Sequence, residues 1–290
     1  MKHLLRTTML VALCLLVAVG GYAQTTTPQQ PRKSLKILAI GNSFSRDAAE
    51  QHLWELFDAA GIEVVIGNLY IGGCSLERHW SNAEQNKPAY EYFKNVGGKN
   101  TMRPKTTLKE ALQEEAWDII TVQQVSGQSG FLNAYQPYLA KMIDYIEALA
   151  TNPAMKIWFH QTWAYATTSN HPDFPRYERN QTKMYEAIMG CSCAVLIDAP
   201  ELYGVIPSGT AIQNMRTTPQ GDALTRDGFH LNYNHGRYTA ACTWFESLSG
   251  ESVVGNSYTP AKVSPEQKRW AQWAAHAAVQ NPYSVTPYRE

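Results

Sequence analysis

Five short apolar runs recur along the chain, with polar or helix-forming stretches between them. Each run is nearly continuous in aliphatic, β-branched and aromatic side chains rather than alternating with polar ones. That composition is typical of a strand covered on both faces. The runs predict strands at 35–40, 64–69, 119–122, 156–159 and 194–197.

The stretches between these runs place apolar residues at helical spacing. The clearest is 46–60, where Ala49, Leu53 and Phe57 share one face. Further helices are predicted at about 107–116, 135–150, 176–190, 236–248 and 264–279.

Alternating strands and helices predict parallel pairing with right-handed crossovers. The expected fold is α/β, a three-layer α/β/α sandwich around a five-stranded parallel sheet, in one domain over 35–283. The polar stretch 77–106 is expected to form a helix and a surface loop. Ligands of such folds bind at the carboxyl ends of the strands, so the polar residues there are the candidates for chemistry.

The first 23 residues have the organisation of a secretory signal peptide. Lys2 and Arg6 precede an apolar run over 9–19, and small residues lead to Ala23. The run is shorter than the roughly 20 residues of a membrane span, so no stable membrane insertion is expected after cleavage. Residues 24–34, rich in Thr, Pro and Gln, are expected to form a flexible lead-in. This N-terminus predicts an exported protein, either periplasmic or secreted.

Composition narrows the functional classes. The chain has 290 residues, 44% hydrophobic and 17% charged, with 25 basic and 25 acidic residues. This balance gives no reason to expect nucleic acid as a partner. No His-rich or Cys-rich tract suggests a metal cluster.

Export permits disulfides among the four cysteines that would remain after cleavage. Cys191 and Cys193 are too close in sequence to pair easily with each other, but either could reach Cys242. Four free thiols, Cys74 included, are the alternative.

A serine follows the first predicted strand. Gly41-Asn42-Ser43 ends that strand directly before the first helix. Ser43 is therefore expected on a strand-to-helix turn, where helix N-terminal amides face a developing negative charge. Alternatively, Ser43 is an ordinary helix-start residue, which is how we interpret Ser45.

A second motif follows the last predicted strand. Asp227 and His230 are one helical turn apart, so the carboxylate can hold one imidazole nitrogen while the other faces a hydroxyl. A serine needs such a base to act as a nucleophile at neutral pH. A surface turn with a capping Asp is the alternative. His235 is the rival base, but it is expected to begin the next helix.

Two further strand ends carry groups that can stabilise an anion. Gly72 and Gly73 follow the second strand, where a glycine lets a backbone N–H approach a ligand closely. Gln123 and Gln124 end the third strand, and a side-chain amide can donate to an oxyanion. Because strand residues alternate between faces, only one glutamine can point to the site.

Together these motifs, in this order, resemble the SGNH (GDSL-like) hydrolase superfamily over about residues 35–248. The resemblance implies the flavodoxin-like sheet of that superfamily and a serine hydrolase without a cofactor. It implies that Ser43 is the nucleophile, that Asp227 orients His230, and that His230 is the general base and then the acid. The implied oxyanion hole consists of the Ser43 N–H, the N–H of Gly72 or Gly73, and the Gln124 amide.

The chain departs from the superfamily pattern at two places. Asn42 replaces the aspartate of the Gly-Asp-Ser motif, and Gln123-Gln124-Val125 stands where the family has Gly-x-Asn-Asp. Some secreted carbohydrate-esterase branches also use Gln there, and the family's spacing favours Gln124 over Gln123. The choice between Gly72 and Gly73 stays open.

Three other residues are candidates for substrate binding. Asn42 adjoins the nucleophile, and Trp163 follows the fourth strand, where it could stack on a sugar ring or pack in the wall. Arg226 could bind a polar substrate group or pair with an acid. His160 and His171 are expected to be structural or to lie at the rim.

The leading hypothesis is a secreted serine esterase that hydrolyses O-acyl esters, above all O-acetyl groups on carbohydrates, through an acyl-enzyme. A lipid or lysophospholipid esterase is one alternative. A non-catalytic carbohydrate-binding protein on a hydrolase scaffold is another. The sequence leaves the acyl group, the alcohol and the oligomeric state open.

Overall fold

A mixed sheet of seven strands carries the fold in residues 33–289, the residues that the computed structural model describes. The strands are β1 (Ser34–Gly41), β2 (Glu63–Tyr70), β3 (Tyr90–Val96), β4 (Lys99–Thr106), β5 (Ile119–Val122), β6 (Lys156–His160) and β7 (Leu202–Ile206). The helices are α1 (Ser43–Ala49), α2 (Leu53–Ala59), α3 (Leu76–Glu84), α4 (Leu108–Glu114), α5 (Tyr138–Leu149), α6 (Gln181–Asp198), α7 (Ser208–Arg216), α8 (His235–Ser249) and α9 (Pro265–Gln280).

The strands lie in the order β4-β3-β2-β1-β5-β6-β7. From β2 to β7 all pairs are parallel, whereas β3 and β4 form a hairpin that extends the edge antiparallel to β2. The α/β fold class is confirmed. The expected sheet of five parallel strands is wrong, because the sheet is mixed and has seven.

Helices cover both faces of the sheet, as the continuous apolar strands predict. In β1 the side chains of Ile37 and Ala39 belong to one buried core, together with residues of α1, α2 and α8. Those of Leu38 and Ile40 belong to the core on the other face, with residues of α3, α4 and α5. Strand β1 therefore has no solvent-facing side in its second half, and its carboxyl end lies in the middle of the sheet.

The predicted strand at 194–197 is wrong, because these residues form the last turn of α6. A four-residue apolar run fits a buried helix turn as well as a strand, so periodicity alone does not separate them. The last strand is β7, a few residues later. Helix α7 after it was not predicted.

The stretch 77–106 contains the expected helix, α3, but its second half is the β3–β4 hairpin rather than a surface loop. Gly97 and Gly98 join the two strands with φ of 56° and 77°. Two left-handed residues are what a tight hairpin turn with right-handed twist requires, and glycine adopts that conformation without strain. The Gly-Gly pair was the available sequence signal for this hairpin.

The helix predicted over 46–60 is two helices, α1 and α2, which are separated at Glu50–His52. His52 has a left-handed φ of 71°, and its side chain bonds Tyr258 and the Tyr233 carbonyl. The other predicted helices are confirmed as α4, α5, α6, α8 and α9, with shifted ends.

The predicted signal peptide (1–23) and most of the predicted lead-in (24–32) lie outside the described residues. Ser34, assigned to the lead-in, begins β1. Within 33–289 no helix combines the length and apolarity needed to cross a membrane. Cys74, Cys191, Cys193 and Cys242 are free thiols.

Candidate active site

The turn from β1 to α1 places Ser43 at the carboxyl edge of the sheet. Asn42 caps α1: its Oδ1 accepts a hydrogen bond from the Phe44 N–H at 3.0 Å. Its Nδ2 donates to the Cys74 carbonyl at 3.0 Å, which ties the turn to the loop after β2. Ser43 is thereby the first residue of the helix and is only half-buried.

A pocket with a cavity volume of about 210 Å³ opens beside Ser43. It is formed by five segments that are distant in sequence. The lining residues are Asn42, Ser43, Phe44, Tyr70, Gly72, Gly73, Val125, Ser126, His171, Phe229 and His230. Of the residues predicted for the site, the structure thus brings Asn42, Ser43, Gly72, Gly73 and His230 to one pocket.

Asp227 holds His230 in a fixed orientation. Its Oδ2 lies 2.6 Å from the His230 Nδ1, and its Oδ1 accepts the backbone N–H groups of His230 at 2.7 Å and Phe229 at 3.1 Å. Burial raises the pKa of Asp227, but these hydrogen bonds outweigh it and leave the pKa below its ordinary value. The carboxylate is therefore charged at neutral pH, and Nε2 of His230 is the ring nitrogen left for another partner.

A buried acid, Asp47 on α1, anchors the loop that carries this pair. Its Oδ2 accepts the Leu231 N–H at 2.7 Å, and its Oδ1 lies 2.5 Å from the Arg237 guanidinium. Arg226 also contacts both carboxylate oxygens, at 3.3 Å. Sequence reasoning missed Asp47, because its only visible signal is one acid on an otherwise apolar helix face.

The loop after β2 brings Gly72 and Gly73 to the pocket lining. The Cys74 N–H donates to the Ile71 carbonyl at 3.2 Å and closes a turn around Gly72 and Gly73. Gly73 has a φ of 60°, which glycine adopts readily. Neither the Gly72 N–H nor the Gly73 N–H is used in closing this turn, and both residues line the pocket.

The two glutamines point away from this pocket. Gln124 Nε2 donates to the Ala134 carbonyl at 2.7 Å, and its Oε1 accepts the Leu76 N–H at 3.1 Å. The expectation that Gln124 donates to an oxyanion is therefore wrong in this geometry: the amide braces two loops. Gln123 Nε2 donates to Asn42 Oδ1 at 2.8 Å.

A buried hydrogen-bond relay lies behind the turn from β1 to α1. Gln123 Oε1 lies 2.7 Å from His160 Nδ1, and His160 Nε2 lies 3.0 Å from the Ser208 hydroxyl. Burial lowers the pKa of His160 to about 3, so the ring is neutral. His160 is structural, as expected, and the relay fixes the orientation of Asn42.

The three residues predicted to bind substrate have structural contacts. Trp163 is fully buried, stacks on Phe44 at 4.0 Å and donates to the Phe229 carbonyl at 2.8 Å. It is wall packing behind the pocket. Arg226 pairs with Asp47, and the side chain of Asn42 is committed to Phe44, Cys74 and Gln123. Trp163 and Arg226 are outside the pocket lining, whereas Asn42 is part of it, and a role of Asn42 or Arg226 in substrate binding stays a prediction.

Three pocket residues were missed or ranked low from the sequence. Tyr70 lines the pocket with the Arg46 guanidinium 3.4 Å from its ring centre, and Ser126 lines it beside Val125. His171, expected to be structural or at the rim, is also part of the wall. The rival base His235 begins α8 and contacts the Ala223 carbonyl at 2.9 Å.

Within residues 33–289 no three His, Cys, Asp or Glu side chains are grouped as metal ligands would be. The polar groups of the pocket are those of nucleophilic catalysis: a hydroxyl, an imidazole with a carboxylate behind it, and free backbone N–H groups.

Comparison with known proteins gives a family match. A family model described as "Domain of unknown function (DUF4886)" matches residues 36–278. The chain is similar to the crystal structure of a DUF4886 family protein from Bacteroides uniformis, at 47% identity and a TM-score of 0.86, over 88% of this chain and 98% of that chain. No curated protein matches.

The chain is also similar, at much lower sequence identity, to two further crystal structures. TesA has 14% identity and a TM-score of 0.47, over 74% of this chain and 98% of that chain. A catalytic mutant of Axe2, an acetylxylan esterase from Geobacillus stearothermophilus, has 12% identity and a TM-score of 0.46, over 81% of this chain and 100% of that chain. These likenesses are too distant to bear on the chemistry of the pocket.

Proposed function

Because the chain belongs to the DUF4886 family, whose function is unknown, we propose a function from the pocket itself: a serine esterase that hydrolyses O-acyl esters. The observation that carries the proposal is that Ser43 and the Asp227-bound His230 line the same pocket. An activated hydroxyl, its base and the group that orients the base are the requirements of nucleophilic acyl transfer. The order of these motifs also resembles the SGNH hydrolases.

In the proposed reaction His230 Nε2 takes the Ser43 proton as Oγ attacks the ester carbonyl. The resulting oxyanion accepts hydrogen bonds from the Ser43 N–H and from the N–H of Gly72 or Gly73. His230 then gives the proton to the leaving alcohol. In the second half-reaction His230 takes a proton from water as the water attacks the acyl carbon, and it returns this proton to Ser43 Oγ as the carboxylic acid is released. Each well-placed oxyanion donor lowers the barrier by roughly 3–4 kcal/mol.

The pocket size supports a short acyl group. Its volume of about 210 Å³ is below that of sites for drug-sized ligands, roughly 300–1,000 Å³. We therefore propose acetyl esters as substrates and expect kcat/KM to fall as the acyl chain lengthens. A lipid or lysophospholipid esterase would show the opposite trend.

The carbohydrate alcohol is proposed from the resemblance to carbohydrate esterases and from the export pattern of the N-terminus. The N-terminal pattern supports export to the periplasm or beyond.

Labelling with a serine-directed fluorophosphonate tests the nucleophile. We expect stoichiometric labelling at Ser43, and loss of both labelling and aryl-acetate hydrolysis in Ser43→Ala, by at least about a thousandfold. The exposed Ser284→Ala is the matched control and should behave as wild type. Unlabelled wild-type protein that still binds acetylated glycans would instead support the non-catalytic carbohydrate-binding alternative.

A further inference from the structure

His171 is a pocket residue with a fixed tautomer. It lies between β6 and α6, and its Nδ1 accepts the backbone N–H of Asp173 at 3.2 Å. Nδ1 then carries no proton, so the ring proton is on Nε2. Burial lowers the pKa of His171, and the neighbouring His230 lowers it further, whereas Asp173 and Asp227 raise it. The net pKa is below its ordinary value, so the ring is neutral at neutral pH. His171 therefore brings one N–H donor to the pocket wall.

Aromatic neighbours hold this ring in place. Its centre lies 4.5 Å from that of Tyr165 and 4.6 Å from that of Phe229, whose ring is 4.1 Å from His230. The Tyr165 hydroxyl lies 2.9 Å from the Ser126 hydroxyl, and Ser126 also lines the pocket. His171 and Ser126 thus form a polar wall next to the general base.

The sheet order decides which part of a substrate meets this wall. Gly72 and Gly73 follow β2, on one side of β1 and Ser43, while Ser126 and His171 follow β5 and β6 on the other. The oxyanion hole of the proposed reaction is on the β2 side. The leaving alcohol receives its proton from His230, and His171 packs against the residue preceding His230.

We propose that the Nε2–H of His171 donates a hydrogen bond to a hydroxyl of the leaving alcohol, next to the ester being cleaved. This assignment rests on the proposed esterase function and deepens it: the substrate alcohol is a polyol or sugar with a free hydroxyl adjacent to the ester. An alcohol without that hydroxyl leaves this half-buried donor without its partner in the enzyme–substrate complex, which weakens binding of the transition state.

Two acetate esters of the same ring size isolate this hydroxyl. Cyclohexyl acetate lacks it, and the monoacetate of trans-cyclohexane-1,2-diol has it. We expect wild type to prefer the diol monoacetate in kcat/KM by about tenfold. His171→Phe keeps a ring between Tyr165 and Phe229 but has no donor, and it should bring the ratio close to one. His171→Gln restores an N–H at the same reach and should retain most of the preference.

The ratio between the two esters is an internal control, because partial misfolding lowers both rates together. Wild type without a preference, or His171→Phe that keeps it, overturns the assignment. Loss of the preference in both variants also overturns it, since ring packing alone would then explain the effect. If wild type hydrolyses neither ester and the fluorophosphonate leaves Ser43 unlabelled, the esterase function fails, and this assignment fails with it.

Discussion

At the scale of single residues, the Asp227 carboxylate sets the chemistry of His230. It accepts three hydrogen bonds, two from backbone N–H groups and one at the ring nitrogen. Since these bonds lower its pKa in the folded chain, the stabilisation from Asp227 is complete above the range where an unfolded Asp titrates. It is lost only as pH falls through the lowered pKa. Activity near neutrality should therefore not depend on titration of Asp227.

Asp227→Asn keeps the size of the side chain but removes its charge and can present an N–H to Nδ1. His230 would then be held in the wrong tautomer, so we expect kcat to fall by roughly 10³- to 10⁴-fold with little change in KM. Steady-state kinetics at pH 7 to 9 measure this, with the exposed Asp144→Asn as control. A loss of less than tenfold would mean that Asp227 does not orient the base.

The residues of the proposed site differ in how far the sequence could predict them. Ser43, Asp227 and His230 were found from the sequence because a hydroxyl, a carboxylate and an imidazole in this order match a known catalytic pattern, and Ser43 and His230 line one pocket. The direction of Gln124 could not be predicted, because it depends on the Ala134 carbonyl and the Leu76 N–H, which only the folded loops bring near. The burial of Trp163 likewise depends on Phe44.

At the scale of elements, one error occurred where a short apolar run fits both a helix and a strand, and another where a strand is polar and exposed. Residues 194–197 lie in the last turn of the 18-residue helix α6. They are helical because they continue that long helix, and their own composition does not decide it. The β3–β4 hairpin has polar, exposed residues along most of β4, so it lacks the apolar signature of a buried strand. The nearly continuous apolar sequences of β1, β2, β5 and β6 correctly predicted strands that are buried between helical layers.

The site depends on the contact between α1 and the loop that carries Asp227 and His230. Asp47 links the two through the Leu231 N–H, and it is fully buried between Arg226 and Arg237. Removing one partner of a buried charge cluster leaves the others uncompensated, which costs about 3–5 kcal/mol.

We therefore expect Asp47→Asn to lower the free energy of unfolding by about 3 kcal/mol. Because the loop anchor is weakened, kcat should fall by about tenfold with KM nearly unchanged. Urea denaturation and steady-state kinetics test the two effects separately, with the exposed Asp58→Asn of α2 as control. Unfolding at wild-type urea concentrations would show that Asp47 does not hold the loop.

At the scale of the whole molecule, the parallel core gathers the site from distant segments. Strand β1 lies between β2 and β5, so three loops from the carboxyl ends of adjacent strands meet beside Ser43. The sequence predicted this meeting on two grounds, the rule that ligands bind at the carboxyl ends of parallel strands and the resemblance of the motif order to the SGNH hydrolases. The antiparallel edge hairpin lies on the far side of β2 from β1 and does not contribute to the pocket lining.

Two buried neutral histidines couple the stability of the whole fold to pH. His160 and His79 are almost fully buried, and burial lowers the pKa of each to about 3. His79 lies 3.0 Å from the Tyr90 hydroxyl through Nδ1, while its Nε2 has no hydrogen-bond partner. Unfolding exposes both rings, which then take up protons below about pH 6.5.

Because the unfolded chain binds these protons and the folded chain does not, the free energy of unfolding should fall as pH drops from 6.5 towards 3. Each ring contributes a slope of about 1.4 kcal/mol per pH unit, so we expect a loss of at least about 2 kcal/mol between pH 6 and pH 5. Urea denaturation at the two pH values measures it. His79→Phe is less stable at both, since Tyr90 loses its partner, but it has one titrating ring fewer and about half the slope from this pair. An equal slope in wild type and His79→Phe would show that His79 is protonated inside the folded protein.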